Sequence, residues 1–202
     1  GVIACIQNSN KLTQSNSAEI VQSNLFYSDV FPILMNSLFR PGKDHPVPQE
    51  FEEPLLISVL TMLQNIIPFI ELNESQLKEM IIRINSMFDI EQFCPINDIS
   101  IDILTKLIER GGHFSVFVQD YFRLSGFIRY LAITPLKSEA VNFIRQFDKL
   151  ALLDDESNAT MFVDVIRNCE FSEADRLTLI KLSLDFSSKT FKFYEPSELL
   201  PL

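Results

Sequence analysis

The chain is expected to be all-α, a short array of stacked antiparallel helices. Three observations lead there. Apolar residues recur at i, i+3, i+4 and i+7 along most of the 202 residues. Capping signals and short polar breaks separate those runs at intervals of about 10–18 residues, the spacing of helices joined by short connectors. No stretch shows the strict apolar/polar alternation of a half-buried strand.

The order of elements follows from local chemistry. Residues 1–16 are expected to be an N-terminal extension or the remnant of a first helix, 17–188 a helical-repeat domain, and 189–202 a tail. In SDVFPILMNSLF the expected cap is Ser28 or Asp29, with Pro32 in the first turn, where a missing N–H costs little. RPGKDHPVPQE holds three prolines and Gly42, so 41–48 is a loop. EEPLLISVLTMLQNIIPFI carries Leu55, Leu56, Val59, Leu60, Leu63, Ile66 and Ile67 at helical spacing. A helix apolar nearly all round is packed on most sides. Its one narrow polar stripe is Ser58, Thr61 and Asn65, with Gln64 beside them. NESQLKEMIIRINSMF opens with Asn73 and Gln76 in a capping box and buries Leu77, Met80, Ile81, Ile84 and Phe88. CPIND is a break, after which Asp98 or Ser100 caps ISIDILTKLIER.

LIERGGHFSVFVQ places two of the five glycines side by side. Gly111 suits the left-handed residue just past a helix ending at Arg110, and Gly112 frees the chain to turn before HFSVFVQDYF. A phosphate-cradling loop would need a preceding strand, more glycines and a Lys, Ser or Thr beyond them. Ser125-Gly126 repeats the punctuation before FIRYLAI, and Thr134-Pro135 is a cap with N1 proline for LKSEAVNFIRQFDKLALL. DDESNATMFVDVIRNC has acids where the helix dipole favours them, and Ser172 with Asp175 boxes FSEADRLTLIKLSLDF.

Composition narrows function by exclusion. A hydrophobic fraction of 47% with 22% charged residues is not that of a disordered chain. The most apolar run, PLLISVLTMLQNIIPFI, is interrupted by Ser58, Thr61, Gln64 and Asn65, short of a transmembrane span. A net charge of -10 with 17 scattered Lys and Arg argues against nucleic acid; it serves solubility or favours basic or neutral partners. Cys5, Cys94 and Cys169 are odd in number and far apart, as in a reduced intracellular protein, here expected to be cytoplasmic. A start at Gly1 reads as an excised domain, and Cys5 stands where a myristoylation signal wants Ser or Thr.

No catalytic, cofactor-binding or metal-ligating residue is expected. His45 and His113 lack Cys, Asp or Glu at ligand spacing, and no nucleophile-elbow, zinc-protease or phosphate-loop pattern occurs. The acids of QEFEEP and LDDES sit at helix starts and serve the dipole. Phe26-Tyr27 and Phe191, Phe193 and Tyr194 either pack on terminal helices or act as exposed anchors.

Three segments share one rhythm: EIVQSNLFYSDVFPILMNSL, KLIERGGHFSVFVQDYF and YFRLSGFIRYLAI. Each is a helix ending in a small or polar residue, a tight turn and a hydrophobic helix, and each resembles the junction between helices of an armadillo repeat. LISVLTMLQNIIPFI resembles the long third armadillo helix, with Asn65 where that family often carries a groove-lining asparagine and Asn85 as a second candidate. The resemblance implies a degenerate armadillo/HEAT-like fold, a short right-handed α-solenoid; an irregular helical bundle is the structural alternative. It further implies a non-catalytic protein–protein interaction or scaffolding module. Its peptide or partner domain would lie in a groove lined by Ser58, Thr61, Gln64, Asn65, Arg83 and Asn85, since amides donate and accept at once. The alternatives are a regulatory or assembly domain using its hydrophobic ends, and a helical-bundle enzyme or apolar-ligand carrier.

Overall fold

The computed structural model describes residues 17–23, 25–38, 49–89, 94–147 and 156–186, and all regular structure among them is helical. The helices gather into two compact units that divide between Phe122 and Arg123. The first unit holds α1 (17–22), a π-turn at Phe26–Val30, α2 (Phe31–Ser37), α3 (Gln49–Ile66), α4 (Glu74–Met87), α5 (Cys94–Arg110) and α6 (Gly112–Tyr121). The second holds α7 (Leu124–Ile133), α8 (Lys137–Ile144), α9 (Glu156–Asn168) and α10 (Glu173–Phe186). No described helix is long and apolar enough to cross a membrane.

Several starts differ from the sequence expectation, each for a local reason. Ser28 and Asp29 do not cap a helix; they lie inside the π-turn, and the α-helical register begins at Phe31 with Pro32 in its first turn. The Phe31 N–H bonds to the Phe26 carbonyl five residues back. An α-helix would set residues five apart roughly 140° from each other. The wider turn brings both rings into the core, with Phe26 fully buried and Phe31 nearly so. α5 starts at Cys94, not after CPIND, because Pro95 is tolerated in a first turn. Asp98 and Ser100 are therefore inside the helix, and the buried Ser100 hydroxyl donates back to the Ile96 carbonyl at 2.8 Å. α3 begins before Pro54, which sits within it and forgoes one backbone hydrogen bond.

The Ser125-Gly126 pair is not a break. Both residues belong to α7, and the break comes three residues earlier, at Phe122 and Arg123, whose extended backbone separates α6 from α7. Thr134 does not cap α8 in the ordinary way: its hydroxyl oxygen accepts the Leu136 N–H at 3.0 Å, and the helix starts only at Lys137 and ends at Ile144. Gly111 has φ 69° with ψ -163°, a conformation essentially reserved for glycine but not the left-handed helical one expected. Gly112, at φ 56°, is also in positive-φ space. The pair is needed because both torsions are positive; a Cβ at either site would meet nothing within 4 Å. The capping box of Asn73 and Gln76 forms in full. The loop at 41–48, the segments 1–16 and 189–202, His45, Cys5 and the three tail aromatics lie outside the described residues.

Helices two apart in the chain pack on one another. Gln64 of α3 bonds Asp102 of α5 at 2.7 Å, and Arg110 at the end of α5 reaches the carbonyls of Ile67 and Ile70 just past α3, at 2.8 and 2.6 Å. The two helices therefore end together. Asn85, near the end of α4, bonds the carbonyl of Tyr121, the last residue of α6, at 2.7 Å. In the second unit, Ser138 at the start of α8 donates to Asp175 at the start of α10 at 2.7 Å. The cores are built from Leu56, Leu60, Leu63, Met80, Ile84, Leu104 and Leu107 in the first unit, and from Phe127, Phe143, Phe162, Ile166 and Leu179 in the second. Phe127, Phe143 and Phe147 stack in sequence, with centroids 5.5 and 5.2 Å apart.

Candidate interaction surface

None of residues 52–66 is fully exposed, as expected for a helix apolar on most sides. The polar stripe of α3 divides by depth. Ser58 is buried, while Thr61, Gln64 and Asn65 are half-buried. The Thr61 hydroxyl donates to the Ile57 carbonyl of its own helix at 2.7 Å. Gln64 donates its amide to Asp102, whose same oxygen pairs with the Lys106 ammonium at 2.7 Å. Gln64, Asp102 and Lys106 thus form one polar node across the α3/α5 seam.

Arg83 and Asn85 do not join that node. The Arg83 guanidinium is held by Glu79, one turn back, at 2.8 and 3.0 Å, and its remaining arm donates to the Leu38 carbonyl at 3.2 Å. Asn85 is only 7% exposed and commits its amide N–H to the Tyr121 carbonyl between α4 and α6. Beside it the Lys78 ammonium lies 4.8 Å from the Tyr121 ring centroid. Of the six residues singled out in the sequence, Thr61, Gln64 and Asn65 share a half-exposed position, Ser58 lies beneath them, and Arg83 and Asn85 serve other packing interfaces.

α5 carries a line of polar residues of which the sequence singled out only Asp98, as a helix cap. Asp98, Asp102, Thr105 and Glu109 stand at i, i+4, i+7 and i+11, so they follow one line along the helix. Their spacing was visible in the sequence; the structure adds that one of them, Asp102, meets Gln64 of the α3 stripe. At the seam the Gln64 amide meets the Asp102 carboxylate and the Lys106 ammonium, with the half-buried Thr61 hydroxyl and Asn65 amide, groups able to donate and accept, on the same stripe of α3.

Elsewhere the polar side chains are occupied with helix ends. Arg176 donates to the Ile166 and Cys169 carbonyls at the end of α9 at 2.6 and 3.1 Å, and Lys137 to those of Leu131 and Ala132 in α7 at 3.2 and 3.0 Å. Cys169 is a half-buried free thiol. His113 is exposed, its ring 4.1 Å from that of Phe114, with the Arg110 guanidinium 3.9 Å from the same Phe114 ring. Phe26 packs in the core, and the half-buried Tyr27 meets it edge-on at 4.9 Å. Among the described residues, no group of three or more His, Cys, Asp or Glu is placed to hold a metal ion. Comparison with family models, curated proteins and solved structures matches none of them.

Proposed function

We propose that this chain is a non-catalytic interaction module that holds a peptide or a partner domain along the α3/α5 seam. The observation that carries this reading is the packing of helices two apart, α3 on α5, α4 on α6 and α8 on α10, with the half-exposed polar stripe of α3 at the first of these contacts. Stacked helical pairs of this kind build α-solenoids, which present an extended inner face to their ligands. Thr61, Gln64 and Asn65 would supply the hydrogen bonds to the partner's backbone, with Asp98 and Glu109 at the margins. Arg83 and Asn85 hold α4 to other neighbours, at the Leu38 and Tyr121 carbonyls.

The test compares two variants for partner capture. Thr61→Arg with Asn65→Ala blocks the seam, whereas Ile82→Arg places a charge on the outer face of α4, where Ile82 is 48% exposed. Loss of a partner with the first and its retention with the second is the expected result. The reverse pattern sinks the seam assignment. An assembly domain working through its apolar surface is the second reading. It is favoured by Leu25 and Ile33, which stand 64% and 65% exposed, and it predicts concentration-dependent self-association that Ile33→Asp removes.

A further inference from the structure

We propose that residues 25–38 form a latched strap, a segment that opens and recloses on the first unit while α3, α4 and α5 stay folded. The proposal is independent of which partner the α3/α5 seam takes.

The segment has little order of its own. It consists of a five-residue π-turn and a seven-residue helix, and neither has a side-chain cap at its start. Helices this short do not persist alone in water, and the π register is rarer and less well bonded than the α. Docking must supply the order. Phe26, Phe31, Leu34, Met35 and Leu38 are buried, while Leu25 and Ile33 point to solvent.

Two polar bonds fasten it near its ends. The Tyr27 phenol oxygen accepts the Glu71 backbone N–H at 2.6 Å, and the Leu38 carbonyl accepts from Arg83 at 3.2 Å. Both posts are held without the strap. Arg110 clamps the carbonyls of Ile67 and Ile70 and lies 3.5 Å from the Glu71 carboxylate, which steadies the connector between α3 and α4. Glu79 holds Arg83 from its own helix. A strap that lifts therefore leaves both posts in position for it to return. Lifting it bares the flank of α3 that α2 covers. With two polar bonds to the frame, the segment opens as one cooperative unit, releasing its five buried apolar side chains together.

Amide hydrogen exchange on the intact chain decides the matter. In the unsubstituted chain the amides of Asp29, Val30 and Phe31 are expected to exchange at least about tenfold faster than those of Leu60 and Leu63 in α3. Tyr27→Phe removes one latch and Arg83→Met the other. Tyr27→Phe is expected to speed exchange in 29–38 by about fivefold, the loss of one ordinary hydrogen bond, and Arg83→Met by about tenfold or more, the loss of a bond from a charged donor, both leaving α3 and α5 unchanged. Strap amides that exchange at the rate of α3 overturn the proposal. So does a strap that exchanges fast but ignores both substitutions, or a substitution that speeds all helices of the first unit alike.

Discussion

At the scale of single residues, backbone torsion and amide geometry decide more than identity suggests. Gly111 and Gly112 lie in open space, so replacing either with alanine meets no steric obstacle beyond the residue itself. The loss is torsional. Gly111→Ala is expected to destabilise by ~1–3 kcal/mol because its φ, ψ pair is essentially glycine-only. Gly112→Asn should be milder than Gly112→Ala, since asparagine tolerates positive φ better. Urea midpoints of the three variants check this, and equal values would refute the torsional account. Asn85 makes a second case. It carries the same functional group as Asn65, yet its amide is buried against the Tyr121 carbonyl. Asn85→Ala is expected to lose ~1–3 kcal/mol, and Asn85→Asp more, because a carboxylate oxygen would face a carbonyl oxygen. Asn65→Ala, half-exposed, should change stability little. Denaturation of the three variants separates support from surface.

At the scale of elements, one device recurs: a cation from a later element reaches back to the carbonyls at the end of an earlier helix. Arg110 does so for α3, Arg176 for α9 and Lys137 for α7. The last carbonyls of a helix have no intrahelical donors, and the dipole concentrates negative charge there. Arg110 bonds both carbonyls through Nη1 and lays its guanidinium on the Phe114 ring, a contact that a planar group makes better than an ammonium. Arg110→Lys should therefore recover only part of what Arg110→Met loses, with the full loss ~1.5–3 kcal/mol for hydrogen bonds from a charged donor. Calorimetric melting of the pair tests this. Full recovery by lysine would mean that charge alone matters.

At the scale of the whole molecule, charge is unbalanced. The net charge is -10, and two of the described ion pairs are single-turn contacts worth only tenths of a kcal/mol each. Self-repulsion should therefore outweigh attraction between exposed charges. Raising salt from low to physiological strength is expected to raise Tm by a few degrees through screening. A fall in Tm would show that ion pairs prevail. The cations that cap helix ends act at short range on partly buried carbonyls, so their contribution survives the added salt.

The helical class, most of the helices and the Asn73/Gln76 box were legible from the sequence, because period, capping and proline placement are local properties that each segment carries with it. So was the Gly111-Gly112 break, for glycine pairs are expensive unless torsion requires them. Only the tertiary structure decided the rest. The π-turn exists because Phe26 and Phe31 must both enter one core, and no local signal in SNLFYSDVF states that requirement. Ser125-Gly126 looks like punctuation but lies in α7, since the extended backbone at Phe122 and Arg123 had already ended α6. The candidate surface was the least legible part. The polar residues of α3 and α4 look alike in the sequence, but those of α3 line a seam with α5 while Arg83 and Asn85 face α2 and α6. Helical period assigns a residue to a face of its own helix; which neighbour covers that face depends on contacts about 35–45 residues away, where the chain carries no local mark.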